Sequence, residues 1–349
     1  MPSRRRQKVI GAKKSTLTPF VAHDLVISWR SKEKIQFLGW PSLGAHNATF
    51  AKPHGVNVTI FELVKIALDE LYAEGELFYG AKLDAKIKER MEYLAASYGS
   101  PNKSDRKPVD YSDPATRFAY VYKYVAAHGD YVVQVLKLLQ DKRGGSIFSS
   151  ENVRVSCIGG GPGSDIIAVL KYLTDFQHCE PVKKVTCYLL DKEQAWADTW
   201  TELEDSLDCA VRVNANFQPL DVTNPASWKS QHKFLQADLF TMSYFVSEVS
   251  GLDNDGNVSK FWKTLFDGAK VGALFLYDDN GHQDFNTYFD GKWKEAGLSC
   301  VLSKDNTRWT PSYSEQASEL GDYLQKFGQQ PKLQAYLSYR VLEKTNEDN

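Results

Sequence analysis

The spacing of apolar residues divides the chain near residue 150. Before that point they recur in steps of three and four, the period of an amphipathic helix; after it, short apolar runs alternate with helical stretches. Asn57 is the expected cap of a first helix, with Ile60, Leu63, Val64, Ile66, Ala67, Leu68 and Leu71 on its inner side. A second helix is predicted over Leu83 to Tyr98, with Ile87, Met91 and Leu94 on one stripe. Residues 99–111 are polar with two prolines and read as a surface loop. Asp113 then suits an N-cap and Pro114 the first helical position. The stripe Phe118, Val121, Val125, His128, Val132, Leu136, Leu139 predicts one long helix that ends at Lys142–Gly145.

Seven strand-like runs follow: 153–158, 184–190, 210–217, 237–245, 272–277, 298–303 and 334–343. Helical patterns separate most of them, one carrying Trp196, Trp200, Leu203 and Leu207 inward, which predicts an α/β sheet, doubly wound and mostly parallel. The last two runs have no full-length helix signal between them, so an antiparallel C-terminal strand is expected. The domains expected are a basic, disordered tail at 1–20, a mainly helical N-terminal region at 21–112, and the α/β domain at 113–349.

Composition changes this picture little. An apolar fraction of 42% with 25% charged residues describes an ordinary globular chain, and a net charge of −2 supplies no general field for polyanions. The exception is local: Arg4, Arg5, Arg6, Lys8, Lys13 and Lys14 crowd the tail, which reads as a solvated segment, a nucleic-acid contact or a nuclear-import signal. The five scattered cysteines suggest reduced core residues, and no metal-ligand spacing is present. No apolar run is long enough to span a membrane, so a cytoplasmic or nuclear protein is expected.

The candidate chemistry lies at Arg154 to Leu170, R-V-S-C-I-G-G-G-P-G-S-D-I-I-A-V-L. A strand feeding a glycine-rich turn and then a helix holds an anionic or polar ligand against the helix N-terminus. Dinucleotide sites favour G-x-G-x-x-G, yet the third glycine position here is Ser164. The G-x-G-x-G spacing of Gly159, Gly161 and Gly163, an acid closing the second strand and an antiparallel finish resemble the class I, Rossmann-like, S-adenosylmethionine-dependent methyltransferases. The resemblance runs over about residues 113 to 345 and centres on Ile158 to Asp165.

That resemblance implies S-adenosyl-L-methionine as cofactor. Gly159, Gly160, Gly161 and Gly163 would form the turn against its methionine part, and Asp191 would accept hydrogen bonds from both ribose hydroxyls. Asp221 and the backbone of Val222 would meet the adenine, and Met242, Ser243 and Tyr244 would line the cofactor and the substrate mouth. One position departs from the family pattern. Two residues before the first glycine, where relatives carry Asp or Glu, stands Cys157, and Asp165 is the acid placed to substitute.

Methyl transfer is an in-line displacement, so the protein must mainly align a nucleophile and manage its proton. The N-P-P-Y tetrapeptide of enzymes acting on exocyclic base amines is absent, and no cysteine closely follows strand four or five. Tyr244 and His282 are the catalytic candidates, His282 for its pKa range; Asp278, Asp279 and Asn280 are pocket candidates beside them. His128 reads as a core residue, Gly129 as a close approach of backbone or ligand, and Tyr120, Tyr122, Tyr124 and Tyr131 as packing or a stacking surface. Acceptor and acceptor atom stay open between a small molecule and RNA, the latter engaging the basic tail; a catalytically silent binding or assembly protein is the further alternative.

Overall fold

The computed structural model describes residues 59–99, 109–206, 211–315 and 320–346. The basic tail, Asn57, most of the 99–111 loop and Leu207 lie outside them. The first helix, α1 (Ile60–Tyr79), is capped by Thr59: its hydroxyl accepts from Glu62 N–H at 3.2 Å, and Glu62 accepts from Thr59 N–H at 2.6 Å. This reciprocal box contributes about 1 kcal/mol. A short 3₁₀ turn leads into α2 (Leu83–Gly99). Asp113 caps α3 (Pro114–Tyr120) as its sequence suggests, accepting from Ala115 N–H at 3.0 Å.

The long helix predicted from Phe118 to Leu139 is not uniform. A π turn, Val121–Val125, separates α3 from α4 (Ala126–Arg143). Residues on nearly every side of this turn are buried, so the change of pitch exposes no apolar side chain, and such turns concentrate at functional sites. The π turn also grips the chain that leads into the last strand. Tyr122 Oη donates to Gln329 O at 2.5 Å, Lys123 Nζ to Gln330 O at 2.7 Å, and Lys332 N–H to Lys123 O at 2.8 Å.

The α/β part runs β1 (Asn152–Ile158), α5 (Ser164–Asp175), β2 (Lys184–Asp191), α6 (Trp196–Ser206), β3 (Arg212–Pro219) and β4 (Leu239–Ser243). It continues through α7 (Val246–Val249), α8 (Asn257–Gly268), β5 (Leu274–Asn280), α9 (Gln283–Glu295), β6 (Ser299–Trp309), α10 (Gly321–Phe327) and β7 (Ala335–Glu343). Among the described residues the sheet has seven strands in the order β3-β2-β1-β4-β5-β7-β6. The first five are mutually parallel, and β7 lies antiparallel between β5 and β6. The expected Rossmann-like, doubly wound sheet with an antiparallel finish is therefore present. β5 extends three residues past its predicted end, to Asn280, because β7 pairs with it as far as Asn280↔Leu337.

Strand alternation sorts the core into two layers. Val155, Cys157, Cys187, Leu189, Leu239 and Leu276 face α1 to α5, where Ile60, Phe118, Val132, Leu136 and Ile167 pack. Phe240, Met242, Phe275 and Tyr277 face α8 and α9, with Phe261, Trp262, Leu265 and Phe289. Helices α1 and α2 share the first layer with α3 to α5, so packing continues across residue 112, where the sequence suggested a division. Gly129 allows this closeness: a Cβ there would lie 3.0 Å from Ile60 Cδ1 and 3.3 Å from Ser164 O.

Candidate functional site

β1 and β4 are neighbours, with α5 and α8 leaving toward opposite layers, so the sheet has its switch point at the carboxyl ends of these strands. Open α/β sheets bind ligands at this place. A cavity of about 770 Å³ opens there. Its walls include Gly159, Gly161, Asp191, Asp221, Val222, Ser243 and Tyr244, seven residues singled out from the sequence.

The glycine turn is built by sterics rather than by local polarity. Gly159 has φ +66°, and a Cβ on it would sit 2.3 Å from Phe245 Cδ2; Gly163 has φ +91°, and a Cβ would sit 2.4 Å from Trp200 Cε3. Both positions exclude side chains twice, by backbone conformation and by space. Gly160 lies deeper, where its hydrogen faces Cys157 and Leu189. Gly160 and Gly163 thus shape the turn and do not line the cavity.

Asp191 closes β2 beside that turn. One carboxylate oxygen accepts from Gly161 N–H at 3.0 Å and the other from Glu193 N–H at 2.9 Å. A carboxylate offers about four acceptor positions, so lone pairs remain toward the cavity. Burial pushes this acid up to about 6, opposed by those two N–H groups. Asp221 is more committed locally: one of its oxygens accepts from Thr223 N–H at 2.9 Å and Thr223 Oγ1 at 2.7 Å, a turn that holds Val222 against the cavity.

Not every candidate is at the wall. Met242 is fully buried in the α8–α9 layer, because strand alternation turns it away from its neighbour Ser243. Asp165 is also buried, behind the wall; burial pushes its carboxyl up to about 6, with Thr241, Ser164 and the Ser243 N–H pulling it down. It braces the end of β4 from beneath. His282 caps α9, its Nδ1 accepting from Asp284 N–H at 3.3 Å, and its half-exposed ring lies outside the cavity wall. Asp278 and Asp279 are fully buried: Asp278 accepts from Ser243 Oγ at 2.9 Å and Asp279 from Ser247 N–H at 2.7 Å.

Tyr244 occupies a strained position, with φ +54°. Its N–H donates to Asp278 O at 2.7 Å, and its ring stacks on His128 with centroids 3.8 Å apart and planes 12° apart. Backbone strain of this kind costs about 1–3 kcal/mol and persists only where surroundings impose it. A second, small cavity of about 20 Å³ lies against this stack, with Tyr120, Tyr244, Ser247 and Glu248 common to both walls. Tyr98, Tyr124, Asn280 and Lys332 complete its lining with His128.

Several lining residues carried no usable sequence signal. Phe245, Phe285 and Tyr288 stand in no motif, Trp196 reads as an inward helix residue, and Lys332 sits in an unpatterned segment. His128 lies on an apolar stripe and is buried as such a histidine should be, yet its edge reaches the small cavity. Tyr120 and Tyr124 line the small cavity, Tyr124 from the edge of the core, whereas Tyr122 and Tyr131 pack wholly within the core. Among the described residues no group of His, Cys, Asp or Glu side chains is arranged to hold a metal ion, and no helix is long and apolar enough to cross a membrane.

Fold and site together define a Rossmann-like α/β protein, its seven-stranded sheet ending in an antiparallel strand and carrying a glycine turn at the carboxyl end of β1. The sequence matches no family model and no curated protein. Solved structures to which the chain is similar include an O-methyltransferase family protein from Burkholderia thailandensis, at 12% identity over 75% of this chain and 72% of that one, with a TM-score of 0.41. Another is a precorrin-6y C5,15-methyltransferase from Geobacter metallireducens, at 11% identity over 61% and 87%, with a TM-score of 0.36. A SAM-dependent methyltransferase from Methanosarcina mazei is similar at 11% identity over 57% and 95%, with a TM-score of 0.37. The fold assignment rests on the strand order and register of this sheet.

Proposed function

We propose that the protein is an S-adenosylmethionine-dependent methyltransferase acting on an N or O nucleophile. The observation that carries this reading is Asp191, held by two backbone N–H groups at the end of β2, with free lone pairs facing the same cavity as Gly159 and Gly161. A ribose with two vicinal hydroxyls suits those lone pairs, and the bare turn suits the close approach of an amino-acid tail. Val222 and Leu220 offer an apolar wall for an adenine beyond it. The residues fit the cofactor, which when bound supplies an electrophilic methyl group.

The remaining work falls to the chain itself. Asp191 and the glycine turn orient, Phe245 and Trp196 exclude water, and Tyr244 presents its ring at the boundary between the cofactor cavity and the small cavity. Asp165 takes no direct part at the wall in this arrangement; it fixes Ser243 from behind, and the position occupied by Cys157 contributes only packing.

Thermal-shift comparison of S-adenosylhomocysteine with NAD on the full chain tests the reading. Stabilisation by the former alone is expected; stabilisation by NAD alone, or by neither, rejects it. For the acceptor, the basic segment Arg4–Lys14 favours RNA as the second reading. Salt-sensitive RNA binding that disappears on deleting residues 1–20 is its expected signature, whereas methylation of a small molecule that ignores this deletion would oppose it.

A further inference from the structure

The large cavity has a side that the cofactor reading leaves open. It begins at the glycine turn, where a Cβ on Gly161 would lie 3.8 Å from Trp196 Nε1, and continues through three rings in contact. Centroids are 5.1 Å apart for Tyr111 and Trp196, 5.7 Å for Tyr120 and Trp196, and 5.4 Å for Tyr111 and Tyr120. The rings come from the segment before α3, from α3 itself and from the start of α6, and all three line the cavity. At about 770 Å³ that cavity has room for a small acceptor beside the cofactor.

Glu248 closes this wall from α7 and lines the same cavity. One of its carboxylate oxygens accepts from Tyr98 Oη at 3.4 Å, and the Tyr98 and Tyr111 hydroxyls bond to each other. The acid is therefore tied to the ring wall through Tyr98, and a carboxylate offers about four acceptor positions. Burial, then the charges of Glu248, Asp165 and Asp191, push the Tyr120 hydroxyl well above its usual range, so the charges acting most on that ring are negative. Among the described residues lining this cavity Lys192 is the one Lys or Arg, and it is exposed. Lys332 lines only the small cavity, over the rings of Tyr124 and Tyr244. Aromatic rings attract cations through their quadrupole, and a carboxylate on the same wall adds a charge-assisted hydrogen bond.

We propose that the methyl acceptor is a cationic amine, docked as its ammonium between Glu248 and the rings of Tyr111, Tyr120 and Trp196. This inference rests on the methyltransferase reading above. The ammonium first loses one proton to the Glu248 carboxylate, which is exposed and passes it to water. The nitrogen lone pair then forms the bond to the methyl carbon as the carbon–sulfur bond breaks, its electrons passing to sulfur. The methylated amine carries the positive charge that sulfur gave up, so charge is balanced.

The test uses the full chain saturated with S-adenosylhomocysteine, titrated by calorimetry at pH 7 with 2-phenylethylammonium and with 2-phenylethanol. The two probes are alike in shape and differ in charge. The ammonium should bind about tenfold or more tighter than the alcohol. Glu248→Gln should bring the ammonium down to the level of the alcohol and leave the alcohol unchanged. Equal binding of the two probes by the parent, or binding of neither, overturns the proposal without recourse to any variant; so does a Glu248→Gln protein that keeps the preference. Failure to bind S-adenosylhomocysteine in the first place would instead overturn the methyltransferase reading, so the two failures are distinct.

Discussion

Replacing Asp191 by Asn removes one charge while keeping the size of the side chain, and its consequences can be worked out from the structure. The carboxylate serves two backbone donors, Gly161 N–H and Glu193 N–H, one on each oxygen. An amide can accept from only one of them and turns its own NH₂ toward the other, so one backbone bond is lost and two donors are opposed. The lone pairs facing the cavity also lose their charge. Loss of a charge-assisted hydrogen bond costs about 1.5–3 kcal/mol, or roughly ten- to a hundredfold in affinity. Calorimetric titration with S-adenosylhomocysteine should show a loss of that size, and Asp191→Ala at least as much.

The pH dependence supplies an independent arm. Burial raises Asp191 to about 6, and the ionised form is the one that accepts from hydroxyls. Affinity should therefore be full above pH 7 and decline as pH falls through about 6, by roughly tenfold at pH 5. Asp165 titrates in the same range, so the comparison with Asp191→Asn matters: the variant should lose most of this slope. Unchanged affinity in Asp191→Asn, or a parent whose affinity is flat between pH 5 and 7, would refute the ribose role.

Three further outcomes are expected. Gly163→Ala forces a left-handed backbone on alanine and drives its Cβ into Trp200, so melting should fall with an expected cost of at least about 1–2 kcal/mol; an unchanged melting temperature would contradict the packing described. Asp165 is buried and ionises near 6 instead of 3.8, so its contribution to stability is largest at low pH and lost as pH rises through about 6. The cost approaches about 3 kcal/mol at pH 7, and Asp165→Asn should gain relative to the parent between pH 4 and pH 7; parallel melting profiles would refute this. Arg117, almost wholly buried, bridges Glu74 at 2.6 Å and the carbonyls of Tyr111 and Ser112, and so fixes the entry to α3. Arg117→Ala leaves the Tyr111 and Ser112 carbonyls without their donor while the part-exposed Glu74 is rehydrated, and denaturant unfolding should register a loss of about 1–3 kcal/mol; a loss under about 0.5 kcal/mol would show that the bridge is dispensable.

Much of the site could be read from residue order because its rules are local. Three glycines at alternate positions after an apolar run specify a turn that no side chain can enter, and an acid at the end of the next strand must point where the sheet directs it. Gly159, Gly161, Asp191 and Asp221 were legible for that reason. Met242 and Ser243 were indistinguishable by proximity along the chain, yet strand alternation sends one into the core and the other to the wall. His282 looked chemical as a loop histidine, but its position just before α9 makes it a cap, a role settled by where the helix begins.

The sequence by itself determined the sequence of elements, the glycine turn, the acid at the end of β2 and the antiparallel finish, since each follows from period, turn chemistry or the lack of a crossover. Only the tertiary structure decided what stands opposite them. The π turn at Val121–Val125 cannot be seen in a hydrophobic stripe, because the helix is buried on nearly every face around it (Phe118, Ala119, Val121, Tyr122, Tyr124, Val125, Ala126 and Ala127), so a change of phase leaves no polar mark. Yet that turn draws Lys332, more than 200 positions along the chain, to the ring of Tyr244 and the edge of His128. Contacts between residues so distant in sequence are fixed by the packing of whole layers, and no local pattern encodes them.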